Sequence, residues 1–253
     1  NRLKRRFAHL ATLPVGIGWD MGRLWMPKPA GNRGRPMDFA KMRQIMVDSQ
    51  IRPDDVTDPE IVSAFLHTPR EAFVPKPEQP VAYSEYEIQT SDGRALWTPR
   101  DTAKMIKALD PQPNDFALVI GAGAGYETAL LARLVETVIA LEDDEALVDE
   151  MTQRFASLGV DRAVAVHGDL KKGLPDQGPF DIILVPGMIE EAPEAWFNQL
   201  AEGGRLGLAV PVGRDLGRAR IFTHSGEITA YRDAFDACPP RMPGFEKKPS
   251  FTF

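Results

Sequence analysis

Three glycines at alternate positions form the part of this sequence best suited to hold a ligand. Gly121, Gly123 and Gly125 follow an apolar run and precede Tyr126, with Ala122 between the first two. Because glycine has no side chain, such a loop lets the backbone turn tightly and approach a ligand closely. A dinucleotide-binding loop would have its third glycine at position 126, where this chain has tyrosine. The spacing therefore favours the amino-acid tail and ribose of S-adenosylmethionine, and a nicotinamide-dependent oxidoreductase is the weaker alternative.

Acidic residues follow the two apolar runs that come next in the chain. Glu142 lies 21 residues beyond Gly121, where a carboxylate can accept hydrogen bonds from both ribose hydroxyls of a bound nucleotide. Asp169 follows the next run and is placed to bond an adenine amino group. Each residue also has a simpler interpretation, since glycines turn a chain and Glu142 begins an acidic stretch suited to a helix start. Together, three such features after three successive strands predict a nucleotide-like cofactor site.

These residues are positioned by a predicted alternation of strands and helices. Short apolar runs typical of buried parallel strands cover 116–120, 137–141, 163–166, 182–185 and 206–210. Helical patterns cover 128–134 and 146–158, the second closed by Gly159. The alternation predicts an α/β fold with a Rossmann-like, doubly wound, mostly parallel sheet that binds ligands at the carboxyl ends of its strands. Helices predicted over 37–48 and from Pro59 and Pro99 form a helical N-terminal region.

Composition divides the chain into four parts, 1–36, 37–110, 111–235 and 236–253. Residues 1–36 hold eight basic residues against the single acid Asp20, together with Trp19 and Trp25. We expect this basic aromatic arm to dock on a partner, either an acidic protein surface or a membrane-associated assembly. Two alternatives are that residues 1–36 are a targeting peptide, or that they fold back on the acidic domain of the same chain. The region 37–110 is expected to form the substrate side, 111–235 the Rossmann-like domain, and 236–253 a proline-rich aromatic tail.

The overall composition excludes several classes of protein. The chain has 253 residues, with 30 Lys and Arg against 36 Asp and Glu, so a net charge of −6 makes general nucleic-acid binding unfavourable. Four scattered histidines and the single Cys238 exclude a Cys/His zinc site and an intrachain disulfide, and we predict no metal site. No apolar run is long enough for a membrane-spanning helix. We expect a cytoplasmic protein, with peripheral attachment to a membrane-bound complex if the arm docks there.

Several segments resemble the protein-L-isoaspartate O-methyltransferase family over about residues 48–210. The resemblance is carried by the Pro-Arg-Glu-x-Phe-Val-Pro run at 69–75, the glycine loop at 120–126, His167-Gly168-Asp169, and the strand at 179–185. It implies a class I methyltransferase domain that uses S-adenosylmethionine. It also implies methyl transfer to the side-chain carboxylate of damaged, isomerised aspartate in other proteins.

The sequence departs from the family pattern at three positions. The family places a serine that holds the substrate carboxylate in a Thr-Ile-Ser-Gln-Pro segment, and the serine position here is Trp97. Thr98, one residue on, is the nearest hydroxyl and our candidate catalytic residue. Val119 stands where the family has an acid, and Leu170, beside the adenine pocket, stands where it has a glycine.

These departures leave two main hypotheses open. One is an active methyltransferase acting on a protein carboxylate or on another acceptor. The other is a non-catalytic accessory or scaffold subunit of a larger complex, such as a membrane-bound respiratory one, docked through its N-terminal arm.

Overall fold

The computed structural model describes residues 37–91, 93–213, 216–226 and 228–247. The predicted N-terminal arm, 1–36, and the tail residues 248–253 lie outside this part of the chain. By its contacts the chain divides between Met37 and Asp38, and apart from Met37 everything described below belongs to the second unit.

The region before the main sheet is built of helices and turns, as the sequence predicted. Helix α1 is Phe39–Met46, and it is continued by a wide turn at Val47–Ile51 and a 3-10 turn at Arg52–Asp54. Helix α2 is Pro59–His67, and 3-10 turns follow at Arg70–Phe73 and Lys76–Val81. Helix α3 is Pro99–Leu109. Asp58 begins α2 by accepting backbone N–H groups, and Thr98 begins α3 in the same way. A two-stranded antiparallel hairpin, β1 (Ile88–Ser91) and β2 (Arg94–Leu96), lies between these helices in the chain.

The main sheet has seven strands in the order β5-β4-β3-β6-β7-β8-β9. Its strands are β3 Phe116–Ile120, β4 Thr137–Glu142, β5 Ala163–His167, β6 Phe180–Met188, β7 Leu200–Pro211, β8 Gly217–Ser225 and β9 Ile228–Asp236. The first five in the chain are parallel, and β8 and β9 extend the β7 side as antiparallel strands. The strand order reverses between β3 and β6, which is where ligands bind in doubly wound sheets. The predicted fold class is confirmed; the two antiparallel strands are additions that the sequence analysis did not identify.

Two apolar layers enclose the sheet. Alternate residues of β3 face opposite sides, so Ala117 and Val119 join one cluster while Leu118 and Ile120 join the other. Helices α4 (Tyr126–Leu131) and α5 (Glu145–Leu158) pack on the first side. The second side carries the short helix α6 (Glu194–Phe197) and two residues of the C-terminal tail, Met242 and Phe245. The tail is thus part of the core at the carboxyl end of β6.

Candidate functional site

The glycine loop lies where β3 ends, and its backbone is held to the neighbouring strand. Gly121, Gly123 and Gly125 all have left-handed φ angles, 71°, 55° and 86°. The N–H groups of Gly121 and Ala122 both donate to the carbonyl of Leu141 on β4, at 2.9 and 3.3 Å. Gly125 is the residue from which α4 begins. We call the surface of residues 121–125 that faces away from the sheet the cradle. At its glycine positions the loop has no side chain that could fill this surface.

Glu142 ends β4 beside this cradle and is completely buried. It accepts the backbone N–H of Gly123 at 2.8 Å and that of Asp143 at 3.0 Å. Arg94, from the hairpin, donates to both carboxylate oxygens, from Nε to Oε2 at 3.0 Å and from Nη2 to Oε1 at 2.6 Å. Burial by itself would raise the pKa of Glu142, but the hydrogen bonds and charge of Arg94 hold that pKa below its ordinary value. The carboxylate predicted to bind ribose is therefore ionised and already paired.

Arg94 and Met242 together cover the cradle. A Cβ atom built on Gly123 would lie 3.2 Å from Cβ of Arg94, and one built on Gly121 would lie 2.6 Å from Cε of Met242. Met242 is fixed by hydrogen bonds between its segment and β6, because its N–H donates to the Met188 carbonyl at 2.9 Å. Phe245 anchors the same segment by packing on Trp196, with ring centroids 5.3 Å apart. The protein's own side chains thus occupy the space against the first two glycines.

The residues predicted to surround an adenine ring lie one strand further along the sheet edge. Asp169 is exposed, and its carboxylate accepts the N–H of Lys171 at 2.9 Å within the turn that follows β5. Leu170 is buried in the same apolar cluster as Met242 and Phe245. Asp169 and Leu170 lie on the same edge as the cradle, but within the described residues the carboxylate of Asp169 bonds only to its own turn.

Trp97 and Thr98 occupy a buried position between β2 and α3. The Thr98 hydroxyl accepts the N–H of Asp101 at 3.1 Å as the cap of α3. The indole N–H of Trp97 has no hydrogen-bond partner in the part of the chain that the structure describes. The assignment of Thr98 as a catalytic residue stays a prediction.

A small cavity beside Trp97 contains a functional candidate that the sequence analysis missed. The cavity, of about 10 Å³, is lined by Trp97, Thr102, Glu127 and three apolar residues, and it is large enough for roughly one water. Among the described residues, Oγ1 of Thr102 and Oε1 of Glu127 lack hydrogen-bond partners. Burial raises the pKa of Glu127 to about 7. Its position two residues after Gly125 was the available signal, but nothing in the sequence indicated that it would be buried.

The described residues include no group of three or more metal-ligating side chains. In the same part of the chain no helix combines the length and apolarity needed to cross a bilayer.

The glycine cradle and buried acid fit an adenosine-type cofactor in their chemistry, provided that Arg94 and Met242 move away. Left-handed glycines allow close approach, and a buried carboxylate beside them can accept two hydroxyl groups. A doubly wound sheet with such a site at its switch point defines the class as a Rossmann-like domain that binds a nucleoside-containing cofactor.

Comparison with known proteins identifies the family. The sequence model for protein-L-isoaspartate(D-aspartate) O-methyltransferase matches residues 41–231. A protein-L-isoaspartate O-methyltransferase from Roseiflexus castenholzii is 40% identical over 177 residues, which is 70% of this chain and 80% of that relative. The one from Petrotoga mobilis is 34% identical over 198 residues, 78% of this chain and 90% of its own. The chain belongs to the protein-L-isoaspartate O-methyltransferase family, which confirms the resemblance.

Solved structures agree with this assignment. A protein-L-isoaspartate O-methyltransferase structure superposes with a TM-score of 0.70 at 25% identity, covering 81% of this chain and 65% of that one. A second, from Plasmodium falciparum and solved in complex with S-adenosyl-L-homocysteine, has a TM-score of 0.66 at 19% identity and covers 82% and 99%. At that identity the second structure supports the fold alone.

Proposed function

We propose that this protein is an S-adenosylmethionine-dependent methyltransferase that acts on a side-chain carboxylate of other proteins, with isoaspartate as the expected acceptor. The observation that carries the proposal is the pairing of a left-handed glycine loop at the end of β3 with the fully buried Glu142 at the end of β4. In a member of this family, that pair is where the cofactor is expected.

The proposal gives each element of the site one task. The backbone of residues 121–125, with Ala122 among them, would hold the amino-acid end of the cofactor, and Glu142 would accept its ribose hydroxyls. Asp169 would bond the adenine amino group, with Leu170 packed beside the ring. The stretch 37–110 would supply the acceptor side, and 111–235 the cofactor side.

Methyl transfer to a carboxylate requires the protein mainly to position the two reactants. When bound, the cofactor supplies a sulfonium methyl group that is already activated. An acceptor carboxylate is ionised at neutral pH, so no base is needed to generate it. What this chain must do is align the carboxylate with the methyl group and exclude water. The buried surroundings of Trp97 and the glycine loop are suited to that role.

Calorimetric titration with S-adenosylhomocysteine tests the cofactor half of the proposal. We expect micromolar binding to the unaltered protein and none to Gly123→Arg, whose side chain would fill the cradle. Gly159→Arg is the matched control, because Gly159 also has a left-handed φ, 65°, but a Cβ there has no atom within 4 Å in the described structure. Binding would then lead to an assay of methyl transfer to isoaspartyl peptides. Failure of the unaltered, folded protein to bind would contradict the proposal.

A second candidate function is that of a non-catalytic accessory subunit. It is favoured by the buried Trp97 at the family's serine position and by Arg94 and Met242 in the cradle. In this proposal the arm at 1–36 docks on a partner complex and the cofactor site stays closed. Absence of S-adenosylhomocysteine binding, together with loss of complex formation on deleting 1–36, would support it. Unchanged complex formation after that deletion would contradict the docking role.

A further inference from the structure

Arg94 already binds a carboxylate in the way that an acceptor carboxylate would need to be bound. Its Nε and Nη2 donate to the two oxygens of Glu142, and Nη2 also donates to Asp143 at 2.8 Å. The guanidinium is planar and matches a carboxylate with two parallel hydrogen bonds. The side chain is 9% exposed, so this is a largely buried ion pair rather than a surface contact.

The same pair blocks cofactor binding. Both oxygens of Glu142 are taken, by Arg94 and by backbone N–H groups, and the aliphatic part of Arg94 lies across Gly123. A ribose that bonds Glu142 must therefore displace the guanidinium. The displaced guanidinium would keep only Asp143, whose carboxylate is largely exposed, so a second anionic partner would stabilise it.

The two described residues expected at the centre of the acceptor side, Trp97 and Thr98, supply no charged ligand for a carboxylate. Trp97 stands in place of the family's serine and offers a single N–H, while the Thr98 hydroxyl caps α3. Arg94 begins β2, and Trp97 directly follows that strand, so one short segment leads from the cofactor site to the expected acceptor side.

We propose that Arg94 exchanges partners during the reaction, holding Glu142 in the cofactor-free protein and binding the acceptor carboxylate once the cofactor has taken Glu142. The inference rests on the proposed methyl transfer and identifies Arg94 as the ligand of the acceptor carboxylate. It makes binding ordered, with the cofactor before the acceptor.

The exchange also accounts for release of the product. In the transfer, a carboxylate oxygen bonds the methyl carbon as the carbon–sulfur bond breaks, and the electron pair of that bond stays on sulfur. The carboxylate becomes a neutral ester and the sulfonium a neutral thioether, while Arg94 keeps all its protons. A neutral ester is a poorer partner for a guanidinium than a carboxylate is. Arg94 is then free to return to Glu142 as the thioether product leaves.

Two variants of Arg94 and one control separate this role from a structural one. In Arg94→Gln the competitor of the cofactor is lost, so S-adenosylhomocysteine should bind about tenfold more tightly. The same variant loses its carboxylate ligand, so the KM for an isoaspartyl peptide should rise by about tenfold or more. Arg94→Lys keeps the charge without the fork and should give an intermediate KM. Arg218→Gln, which removes an arginine paired with Asp233 and Asp236 on β8 and β9, should change neither value.

A direct binding measurement does not depend on turnover. Titration of the unaltered protein with the isoaspartyl peptide should show binding with S-adenosylhomocysteine present and none without it. If both affinities of Arg94→Gln weaken together, or neither changes, Arg94 has a structural role and the inference is wrong while the proposed function stands. If cofactor binding tightens but peptide binding is unchanged, the acceptor role is wrong. If the unaltered, folded protein does not bind S-adenosylhomocysteine, the proposed function fails, and the partner exchange fails with it.

Discussion

Replacing Glu127 with glutamine tests the buried carboxyl that follows the glycine loop. In the folded protein burial raises the pKa of this group from 4.5 to about 7. The groups that act on it in the described structure are its own backbone N–H and Arg70, which lower the pKa, while it in turn raises that of Tyr126. In the unfolded chain the carboxyl titrates at its ordinary value. Between pH 4.5 and 7 the folded protein therefore holds a proton that the unfolded chain has released.

The sign of the effect follows from this difference in bound protons. The contribution of Glu127 to stability is fully present below pH 4.5 and falls as pH rises, because ionisation is easier in the unfolded chain. A shift of this size corresponds to about 3 kcal/mol in the free energy of unfolding, of which about 2 kcal/mol is lost between pH 5.5 and 8. Glutamine has nearly the same shape and does not titrate, so Glu127→Gln should not show this loss.

The measurement is urea denaturation of both proteins at pH 5.5 and pH 8. We expect the stability of Glu127→Gln relative to the unaltered protein to increase by about 2 kcal/mol between the two pH values. The exposed Glu136, replaced in the same way, serves as the control for the substitution itself. A difference for Glu127→Gln that stays constant with pH would refute the reasoning, since it would mean that the carboxyl ionises alike in the folded and unfolded states.

Three further predictions concern the packing around the site. In urea denaturation, Gly125→Ala should lower the free energy of unfolding by about 3 kcal/mol, because a Cβ at this left-handed residue would lie 2.8–2.9 Å from side chains of α5. The control Gly159→Ala, at a residue that is also left-handed but lies in open space, should lower it by only about 1 kcal/mol. Arg70→Met should cost about 3 kcal/mol in the same measurement, since the buried Arg70 donates to two backbone carbonyls that would lose their partner. Phe245→Ala should loosen the tail from Trp196 and make S-adenosylhomocysteine bind about tenfold more tightly by calorimetry, whereas unchanged affinity would mean that the tail does not compete with the cofactor.

The parallel half of the sheet could be predicted from sequence because each strand there is a short, nearly continuous apolar run. Strand β3 has the predicted bounds, and β4 and β5 each extend one residue further, to Glu142 and His167. Helix α4 begins at Tyr126, two residues before the prediction, because Gly125 is left-handed and allows the helix to start immediately after it.

Strands β8 and β9 were missed because they do not carry a buried apolar run. Most residues of β9 are exposed, and its acids pair across to arginines of β8, as Asp233 does with Arg220. In sequence such charges resemble a solvated loop. Only the register of the two strands, which sequence patterns do not contain, brings the opposite charges together.

The side chains that cover the cradle, Arg94 and Met242, could not be predicted from sequence either, because they reach it through tertiary contacts. Arg94 and Glu142 are 48 positions apart and meet only because the hairpin lies against the edge of the sheet. Met242 reaches Gly121 through a single bridge between Arg241 and Met188, which produces no periodic pattern in the chain. The glycines and the acid were identifiable as a site, but what covers them depends on tertiary contacts.

The way in which the cradle is covered favours a site that opens over one that is sealed. A permanently closed site would be filled more stably by apolar side chains than by a buried ion pair, since removing two charges from water offsets most of their attraction. Here the loop keeps three left-handed glycines, and Glu142 keeps a fully buried charge whose chief side-chain partner, Arg94, sits on a two-stranded hairpin outside the main sheet. The other occupant, Met242, has an unbranched and flexible side chain and belongs to a segment outside the seven strands of the main sheet. Both occupants can therefore leave without unfolding the sheet, and the glycine loop and Glu142 would remain in place for a ligand.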